Sequence, residues 1–368
     1  MSNRSIQIVA FNNPYPANFG GAIDMFYKIE ALYDHGLKIQ LHIFYDDRED
    51  VFGLEDYCEN LYLYKREKSI KKHFSLLPFT INSRENYKLI ERLKANNAPI
   101  LFESLRVCKI LINNKFSNTI AIRNHNIEHK YSWGLAKSEA NWIKKYAHYF
   151  EGFKQKRFEK ILNKADVLFN ISKEEQHYFL KKYSSKSIYL PVFHAFTEIK
   201  SKVGFGRYAL YHGDLSISDN LKSVRFLINV FKTVKVNFII ASSTKPKVIL
   251  DLVDANDNIS FEKIEEDERL QYLIENAHIN TLYSFQRSGT KLKVFNALFN
   301  GRHCILNDKM VDDIDILNVC EVAENNSDYR NKVLLGFKQE FKQTHERKKA
   351  LSNYNNVNNA SLIIKNLF

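Results

Sequence analysis

A run of small and cationic residues follows a strand-like apolar segment, 279–283, in the last third of the chain. Backbone N–H groups left free at a strand-to-helix turn can hold an anion. Two lysines in the first turn of the helix oppose the helix dipole, and a bound phosphate would remove that conflict. The segment therefore predicts a diphosphate site, and the alternative is an ordinary amphipathic helix with solvated lysines. The residues of this turn are Ser288, Gly289, Thr290, Lys291 and Lys293.

A second polar group follows the apolar segments 99–103 and 118–122. A histidine just after a strand, such as His125, can donate a hydrogen bond to a sugar hydroxyl or a phosphate at neutral pH. Glu103, at the end of its strand, could activate a hydroxyl as a general base. The alternatives are structural, because Arg123 could pair with Glu128 and Glu103 could cap the following helix.

Composition and length narrow the class of protein. The 368 residues, 45% of them hydrophobic, are enough for two domains with sizeable cores. No apolar run approaches the ~20 residues that span a bilayer, and the N-terminus lacks the pattern of a signal peptide. The four cysteines are widely separated, without a CxxC pair, so neither a zinc site nor a disulfide framework is indicated. We expect a cytoplasmic protein without a bound metal.

The net charge of +12 is partly local. Residues 130–164 contain nine Lys or Arg and three Glu, interspersed with eight aromatic residues. Such a stretch can lie on an anionic membrane, which predicts peripheral contact with the inner face of the cytoplasmic membrane. The alternatives are nucleic-acid binding, which no Arg-rich or RNP-like motif supports, and a solvated helix whose aromatic face joins the core.

Short apolar segments alternate with helical patterns along the whole chain, which predicts an α/β fold with mostly parallel sheets. Long helices are predicted over 138–164 and 327–346, and the segment 123–129 is predicted as a loop. We expect a first domain over 1–190, a linker over 191–206, a second domain over 207–346, and a C-terminal segment, 347–368, that returns to the first domain. Ligands of such sheets bind beyond the carboxyl ends of the strands.

Four motifs resemble, in chain order, those of GT-B glycosyltransferases, specifically the retaining family 4 of the bacterial group 1 type. The first resembles the glycine-rich acceptor loop of that family, the third its donor-domain glycine loop, and the fourth its donor-diphosphate helix. The motifs are Pro14-x-Pro16 with Gly20-Gly21, Arg123-x-His125-Asn126-x-Glu128-His129-x-Tyr131, Tyr211-His212-Gly213-Asp214 through Asn220, and Gly289-Thr290-Lys291-Leu292-Lys293 through Gly301.

The resemblance implies two Rossmann-like domains facing a central cleft. It implies transfer of a sugar from a UDP- or GDP-sugar to a glycan or lipid-linked glycan of a bacterial surface polysaccharide, without a metal or cofactor. The implied catalytic residues are His125, Glu103, Lys291 and Lys293. The implied acceptor residues are Gly20, Gly21, Arg123, Asn126 and Glu128. The implied donor residues are Gly21, Gly213, Asp214, Asn220, Glu262, Ser288, Gly289, Thr290, Lys291, Lys293 and Asn296.

This sequence departs from the family pattern at the donor site. Two glutamates eight residues apart would fall at Ser288 and Asn296, and neither residue is acidic. The usual Arg and Lys would fall near Asp214 and Asn220, so Lys291 and Lys293, with Lys222 as a helper, are the candidate cations. Two further hypotheses follow: a sugar-nucleotide 2-epimerase of the same architecture, and a non-catalytic relative that binds a glycan or a partner transferase. Glu262 could also belong to the solvated acidic run 262–268.

Overall fold

The computed structural model describes residues 4–183, 186–287 and 289–368. The chain divides into two compact units. The first contains Met1–Trp133, Ala147–Ala195 and Tyr354–Phe368, and the second contains Gly134–Tyr146 and Phe196–Asn353. The expected linker 191–206 is therefore divided, since its first five residues belong to the first unit and the remainder to the second.

The first unit is built on a parallel sheet that, within the described residues, has seven strands in the order β3-β2-β1-β4-β5-β6-β7. The inner strands β1, β4, β5 and β6 bury nearly continuous runs of residues, as expected for a sheet covered on both faces. The strands of the sheet are β1 Ser5–Ala10, β2 Lys38–Tyr45, β3 Asn60–Lys65, β4 Ile100–Glu103, β5 Ile120–Asn124, β6 Val167–Asn170 and β7 Ser187–Tyr189.

Helices cover this sheet, and the last helix of the chain is one of them. Ala360, Ile363 and Leu367 of that helix join the same hydrophobic core as the strands. The Asn355 side chain starts the helix by accepting hydrogen bonds from the N–H groups of Val357 and Asn358. The helices with residues in this unit are α1 Gly20–Asp34, α2 Phe79–Asn82, α3 Tyr87–Lys94, α4 Glu128–Ser138, α5 Trp142–Phe158, α6 Lys173–Tyr183 and α14 Asn356–Leu367. The 3₁₀ segments are Glu55–Tyr57, Ile70–Phe74, Leu105–Leu111 and Glu159–Lys164.

The second unit has its own parallel sheet, with six strands in the described part of the chain and the order β10-β9-β8-β11-β12-β13. The strands are β8 Ala209–His212, β9 Phe238–Ser242, β10 Ile259–Lys263, β11 Ile279–Thr281, β12 His303–Leu306 and β13 Glu321–Val322. The helices are α7 Ser218–Phe231, α8 Lys247–Asp254, α9 Asp267–Asn276, α10 Leu292–Asn300, α11 Ile314–Leu317, α12 Asn326–Gly336 and α13 His345–Ser352.

The predicted α/β class with two Rossmann-like sheets is confirmed, whereas the bounds of the two long helices differ from the prediction. The predicted helix 138–164 begins later, at Trp142, because the Asn141 side chain caps α5 by accepting from two backbone N–H groups at 3.0 and 3.1 Å. After Phe158 it continues as the 3₁₀ segment Glu159–Lys164. The predicted helix 327–346 ends at Gly336, and Thr344 caps the next one. The segment 123–129, predicted as a loop, contains the end of β5 and the start of α4.

Candidate active site

Both sheets reverse their strand order once, and each reversal lies beside predicted site residues. In the first unit the reversal falls between β1 and β4, where Ala10 is paired with Glu103. In the second unit it falls between β8 and β11. The crevice outside the carboxyl ends of two such strands is the usual ligand site of an open parallel sheet.

A cluster of charged side chains is buried at the reversal point of the first unit. Lys28 donates to Asp24 at 2.9 Å and to both carboxylate oxygens of Glu103 at 2.8 and 2.9 Å. Arg123 donates to the two oxygens of Asp24 at 2.9 and 3.2 Å. These four side chains are at most 1% exposed, so their charges balance inside the protein. We call these residues, with His125, the buried charge cluster.

The cations of this cluster keep both carboxyl groups ionised. Burial alone would raise the pKa of Asp24, but the charges of Arg123 and Lys28 outweigh burial and hold the pKa far below its usual range. Burial would likewise raise the pKa of Glu103, and the charge of Lys28 and a hydrogen bond with His125 lower it below the ordinary value. Both acids are therefore anions at neutral pH.

His125 is the one member of the cluster whose side chain reaches solvent, at 11% exposed. Its Nε2 lies 3.3 Å from Glu103, and its Nδ1 lies 3.9 Å from Asp24. The ring packs edge-on against Phe11, which follows β1, with the ring centroids 5.6 Å apart. The two carboxylates thus orient the imidazole at the edge of the sheet where a ligand is expected.

The structure changes the interpretation of three predicted residues. Arg123 is fully buried and bonds Asp24 and the carbonyls of Leu190 and Pro191, so it can neither touch an acceptor nor pair with Glu128. Glu128 pairs instead with Arg106 at 3.1 Å. Glu103 is buried, anionic and held by Lys28, which does not suit a general base on a substrate hydroxyl and makes it a positioning residue for His125.

Carboxylate oxygens of Asp24 and Glu103 and a ring nitrogen of His125 lie within 4.8 Å of one another, as the ligands of a metal site would. The same carboxylates already accept hydrogen bonds from Lys28 and Arg123. A divalent cation would have to displace a buried ammonium group and bring further positive charge beside a guanidinium. The donor set therefore does not suit a metal.

The glycine pair of the first motif opens α1. Gly20 is exposed, and a side chain at Gly21 would meet the Phe11 ring at 2.9 Å. No side chain caps this helix start and no acid lies in its first turn. Asn126 is half-buried beside His125. Gly21 thus lies next to Phe11, and Asn126 lies next to His125. All three of these predicted residues are at the reversal point of the first unit.

The second reversal point brings Gly213 and Lys293 together. Gly213 follows β8, and a Cβ added to it would lie 3.3 Å from the ammonium nitrogen of Lys293 and 3.1 Å from the Tyr211 hydroxyl. Lys293, in the first turn of α10, donates to the Asn220 amide oxygen at 3.1 Å. Lys291, at the helix start, donates to the carbonyl of Lys309 at 3.0 Å. The third and fourth motifs therefore form one site, which we call the α10 site.

This site is electropositive and lacks a carboxylate bound to Lys293 among the described residues. Burial and the charge of Lys291 lower the pKa of Lys293 to about 7, against the opposing effect of Asp219. Burial and Lys293 also lower the pKa of the adjacent His212 to about 3, so that its ring is neutral. A negatively charged ligand beside Lys293 would relieve the electrostatic cost of this arrangement.

Buried polar residues that the sequence reasoning missed hold the loop into α10. Asp219 accepts from the Ser284 hydroxyl at 2.8 Å, and Asn307 donates to the Ser284 carbonyl at 2.8 Å. Gly289 then adopts φ +62°, a left-handed conformation that favours glycine. In the first unit the sequence reasoning also missed Asp24 and Lys28. Their sequence pattern could have revealed them as an ion pair, because two opposite charges four residues apart interrupt an apolar helix face.

The remaining donor candidates are placed as follows. Asp214 accepts from Ser216 and Thr244 in a turn, which is the structural alternative for a Gly-Asp pair. Glu262 forms an ion pair with Arg269. Asn296 accepts from Asn300 at 2.9 Å. Thr290 lies half-buried before α10, and Ser288 lies outside the described residues.

Solved glycosyltransferase structures superpose on nearly the entire chain. Sucrose-phosphate synthase from Thermosynechococcus elongatus is 14% identical, with 98% of each chain covered and a TM-score of 0.71. S. aureus TarM, solved with fondaparinux, alpha-GlcNAc-glycerol and UDP, is 11% identical, with 99% of each chain covered and a TM-score of 0.68. The lipopolysaccharide outer core galactosyltransferase WaaB is 13% identical, with 99% of each chain covered and a TM-score of 0.62.

The chain has the GT-B glycosyltransferase fold. In sequence, this GT-B chain is 28% identical over 320 residues to an uncharacterized 44.6 kDa protein in the cps region of Klebsiella pneumoniae, with 80% of each chain covered. No family model matches the sequence.

Proposed function

We propose that the protein is a metal-independent glycosyltransferase that moves a sugar from a UDP- or GDP-sugar to a glycan or lipid-linked glycan, with retention, in the synthesis of a bacterial surface polysaccharide. The α10 site carries the proposal, because Lys293, Gly213 and the start of α10 form an electropositive site at a sheet reversal. The GT-B fold supports the reaction class, and the relative from a cps region supports the product class.

In this proposal the α10 site binds the donor diphosphate. Glycosyl transfer leaves negative charge on the departing diphosphate, and fixed cations and hydrogen-bond donors stabilise it. Lys293 and Lys291 supply the positive charge, and the amides of Gly289 and Thr290 supply hydrogen bonds. Interactions that strengthen as the charge develops raise turnover more than substrate binding.

The first unit receives the acceptor in this proposal. His125, oriented by Glu103 and Asp24, is the group placed to contact a sugar hydroxyl or phosphate. Arg123 and Lys28 act on the reaction through those carboxylates. The residues that the resemblance assigned to one set thus have two different roles. The buried ions position the imidazole of His125, and this partly exposed imidazole binds the acceptor.

We also propose that helix α5 and the segment 70–76 rest on an anionic membrane. Phe150 and Phe153 of α5 are 64% and 63% exposed, so these two residues do not join the core as the structural alternative would require, whereas Phe158 at the end of the helix does. Lys154 joins the two segments by donating to the His73 carbonyl at 2.8 Å. An apolar cavity of about 240 Å³ lies beside these two segments. Its lining residues are Leu76, Leu77, Ile112, Lys154, Arg157, Phe158 and Ile161. No described helix is long and apolar enough to cross a bilayer.

The proposed donor site is tested by the thermal stability of the purified chain with UDP, GDP, CMP and their common sugar conjugates. A ligand of the native state raises the melting temperature. We expect a rise with one nucleotide class, lost in Lys293→Met and retained in Lys232→Met, which removes an exposed lysine on the same unit.

The reaction itself is tested with the nucleotide sugar that binds. Alanine at both Lys291 and Lys293 is expected to abolish transfer without unfolding the chain, and near-normal turnover of that double variant would contradict the proposal. Release of a free or rearranged sugar without an acceptor would indicate the 2-epimerase instead. A well-folded protein that responds to no nucleotide would indicate a non-catalytic relative.

A further inference from the structure

A second set of cations, distinct from the buried charge cluster, lies in the first unit around Phe11. Arg84 is 4% exposed and donates to the backbone carbonyls of Phe11, at 2.8 Å, and of Thr80. Among the described residues no carboxylate lies within ion-pair distance of Arg84. An arginine buried without a direct ion-pair partner carries an electrostatic cost.

Two more arginines lie near it. Arg66 follows β3 and donates to the hydroxyl of Ser83, the residue before Arg84, at 3.1 Å. Arg106 follows β4, and its guanidinium carbon lies 5.3 Å from the centre of the Phe11 ring. Burial first, and then the charges of Arg66 and Arg106, lower the pKa of Arg84. We call these three residues the arginine cluster.

The anions near the arginine cluster are already shared. Asp46 pairs with Arg66 and also with Lys68 at 2.9 Å. Glu128 pairs with Arg106 and accepts from the Ser104 hydroxyl at 3.3 Å. Glu151 also interacts electrostatically with Arg106, and it accepts hydrogen bonds from the N–H groups of Phe79 and Thr80 at 3.1 Å. The three arginines and Lys68 thus face three carboxylates, which leaves one excess positive charge at the edge of the sheet where β1 and β4 end.

The backbone beside the cluster is strained in a way that marks functional sites. Ser104 adopts φ +107°, and among the described residues it is the one non-glycine with a positive φ. Its hydroxyl accepts from the N–H of Arg106 and donates to Glu128, so these contacts fix the chain between Glu103 and Arg106. Conformations of this kind are unfavourable for a non-glycine residue and persist where the surroundings determine them.

We propose that Arg66, Arg84 and Arg106 bind an acidic group of the acceptor, a phosphate or a carboxylate. Guanidinium groups match the planar, two-oxygen geometry of both anions. The Phe11 ring contacts both the His125 ring and the Arg106 guanidinium, so the bound anion lies near the imidazole that contacts the acceptor. The inference names the acceptor chemistry and rests on the proposed function for the word acceptor, but the anion site can be measured by itself.

The test is calorimetric titration of the full chain with methyl phosphate, glucuronate and, as the neutral probe, methyl glucoside. The informative variant is Arg66→Gln, since its side chain is 13% exposed and Asp46 keeps Lys68 as a partner. Arg84 is a poorer choice because the carbonyls of Phe11 and Thr80 would lose their donor. The matched control is Arg92→Gln, which removes an arginine of α3 that stacks on Tyr62.

We expect Arg66→Gln to weaken binding of an acidic probe at least fivefold and Arg92→Gln to leave it unchanged. The result should persist in the Lys293→Met background, which removes the other proposed phosphate contact. Selective binding of methyl phosphate identifies a phosphate on the acceptor, and selective binding of glucuronate identifies an acidic sugar. The inference is overturned if Arg66→Gln binds the acidic probe as tightly as the wild type does. It is also overturned if Arg66→Gln weakens binding of methyl glucoside as much as binding of the acidic probe.

Failure of the proposed function would look different. In that case no nucleotide would stabilise the second unit, while the anion titrations of the first unit would be unaffected. Conversely, a nucleotide response with no arginine-dependent anion binding would leave the transferase proposal in place and remove the acidic acceptor.

Discussion

Lys293 shows how one side chain can be costly before a ligand binds and useful afterwards. Its pKa, lowered to about 7 by burial and Lys291, means that the amine is largely neutral at pH 8 in the free protein. A diphosphate beside it favours the charged form and raises this pKa. Binding therefore takes up a proton above pH 7, and affinity falls as the pH rises further.

We predict that the nucleotide sugar that binds will show proton uptake at pH 8, measured by calorimetry in two buffers of different ionisation enthalpy. The diphosphate of a nucleotide sugar does not titrate in this range, so the proton goes to the protein. Lys293→Met should abolish the uptake, whereas Lys232→Met should keep it. Uptake that persists in Lys293→Met would assign the proton to another group.

The same pKa has a consequence for stability. The unfolded chain keeps its lysine protonated up to about pH 10.5, whereas the native state releases that proton near pH 7. The unfolded state therefore binds more protons between these values, and the contribution of Lys293 to stability rises with pH. At neutral pH and below, Lys293→Met should melt at a higher temperature than the wild type, and the difference should shrink towards pH 10.

The roles of some site residues could be predicted from the sequence, and the roles of others could not. Gly213 and Lys293 were predicted from separate motifs, and the structure places them 3.3 Å apart once a Cβ is added. Arg123 was predicted to touch the acceptor because its motif suggested it, but a motif does not show which side chains face inwards. Burial of Arg123 depends on Asp24, which is 99 residues away along the chain.

At the scale of elements, the turn into α10 depends on one glycine. Gly289 has φ +62°, and alanine in this conformation costs about 1 kcal/mol. We predict that Gly289→Ala lowers the melting temperature by a few degrees and weakens nucleotide binding at least tenfold, because the N–H groups before α10 turn away.

The matched control is Gly36→Ala after α1. Gly36 has φ +79° and nothing within 4 Å of an added Cβ, so the backbone cost is similar and the α10 site is unaffected. Chemical denaturation measures the loss of stability and calorimetry the nucleotide affinity. Equal nucleotide binding by the two variants would show that the turn does not shape the site.

Helix existence was easier to predict than helix ends. The apolar spacing over 138–164 suggests a helix from residue 138, whereas a side-chain cap at Asn141 starts α5 at Trp142. An asparagine inside a periodic segment is a recognised start signal, and the aromatic spacing concealed it. Strands were located well because buried parallel strands are short apolar runs.

For the whole molecule, the exposed apolar surface of α5 and the segment 70–76 is the feature that most needs a partner. Phe74 is 85% exposed, and Lys71 and Lys72 lie beside it. We predict that the protein co-sediments with vesicles of phosphatidylglycerol and phosphatidylcholine, and much less with phosphatidylcholine alone. High salt should weaken the association.

The double variant Phe150→Ser/Phe153→Ser should bind these vesicles at least tenfold more weakly, because two aromatic side chains no longer enter the interface. Tyr87→Ser is the control, since Tyr87 is 66% exposed on α3. Wild-type protein that stays in solution with anionic vesicles would leave this surface without a lipid partner.

The first unit is assembled from segments that are far apart along the chain, and this fixes an order of events during synthesis. Its core needs Ala360, Ile363 and Leu367 of α14, whereas every residue of the second unit has been made by Asn353. A ribosome therefore completes the later sheet before the earlier one can close its core. Until α14 emerges, the face of α1 that it covers stays open to chaperones and proteases.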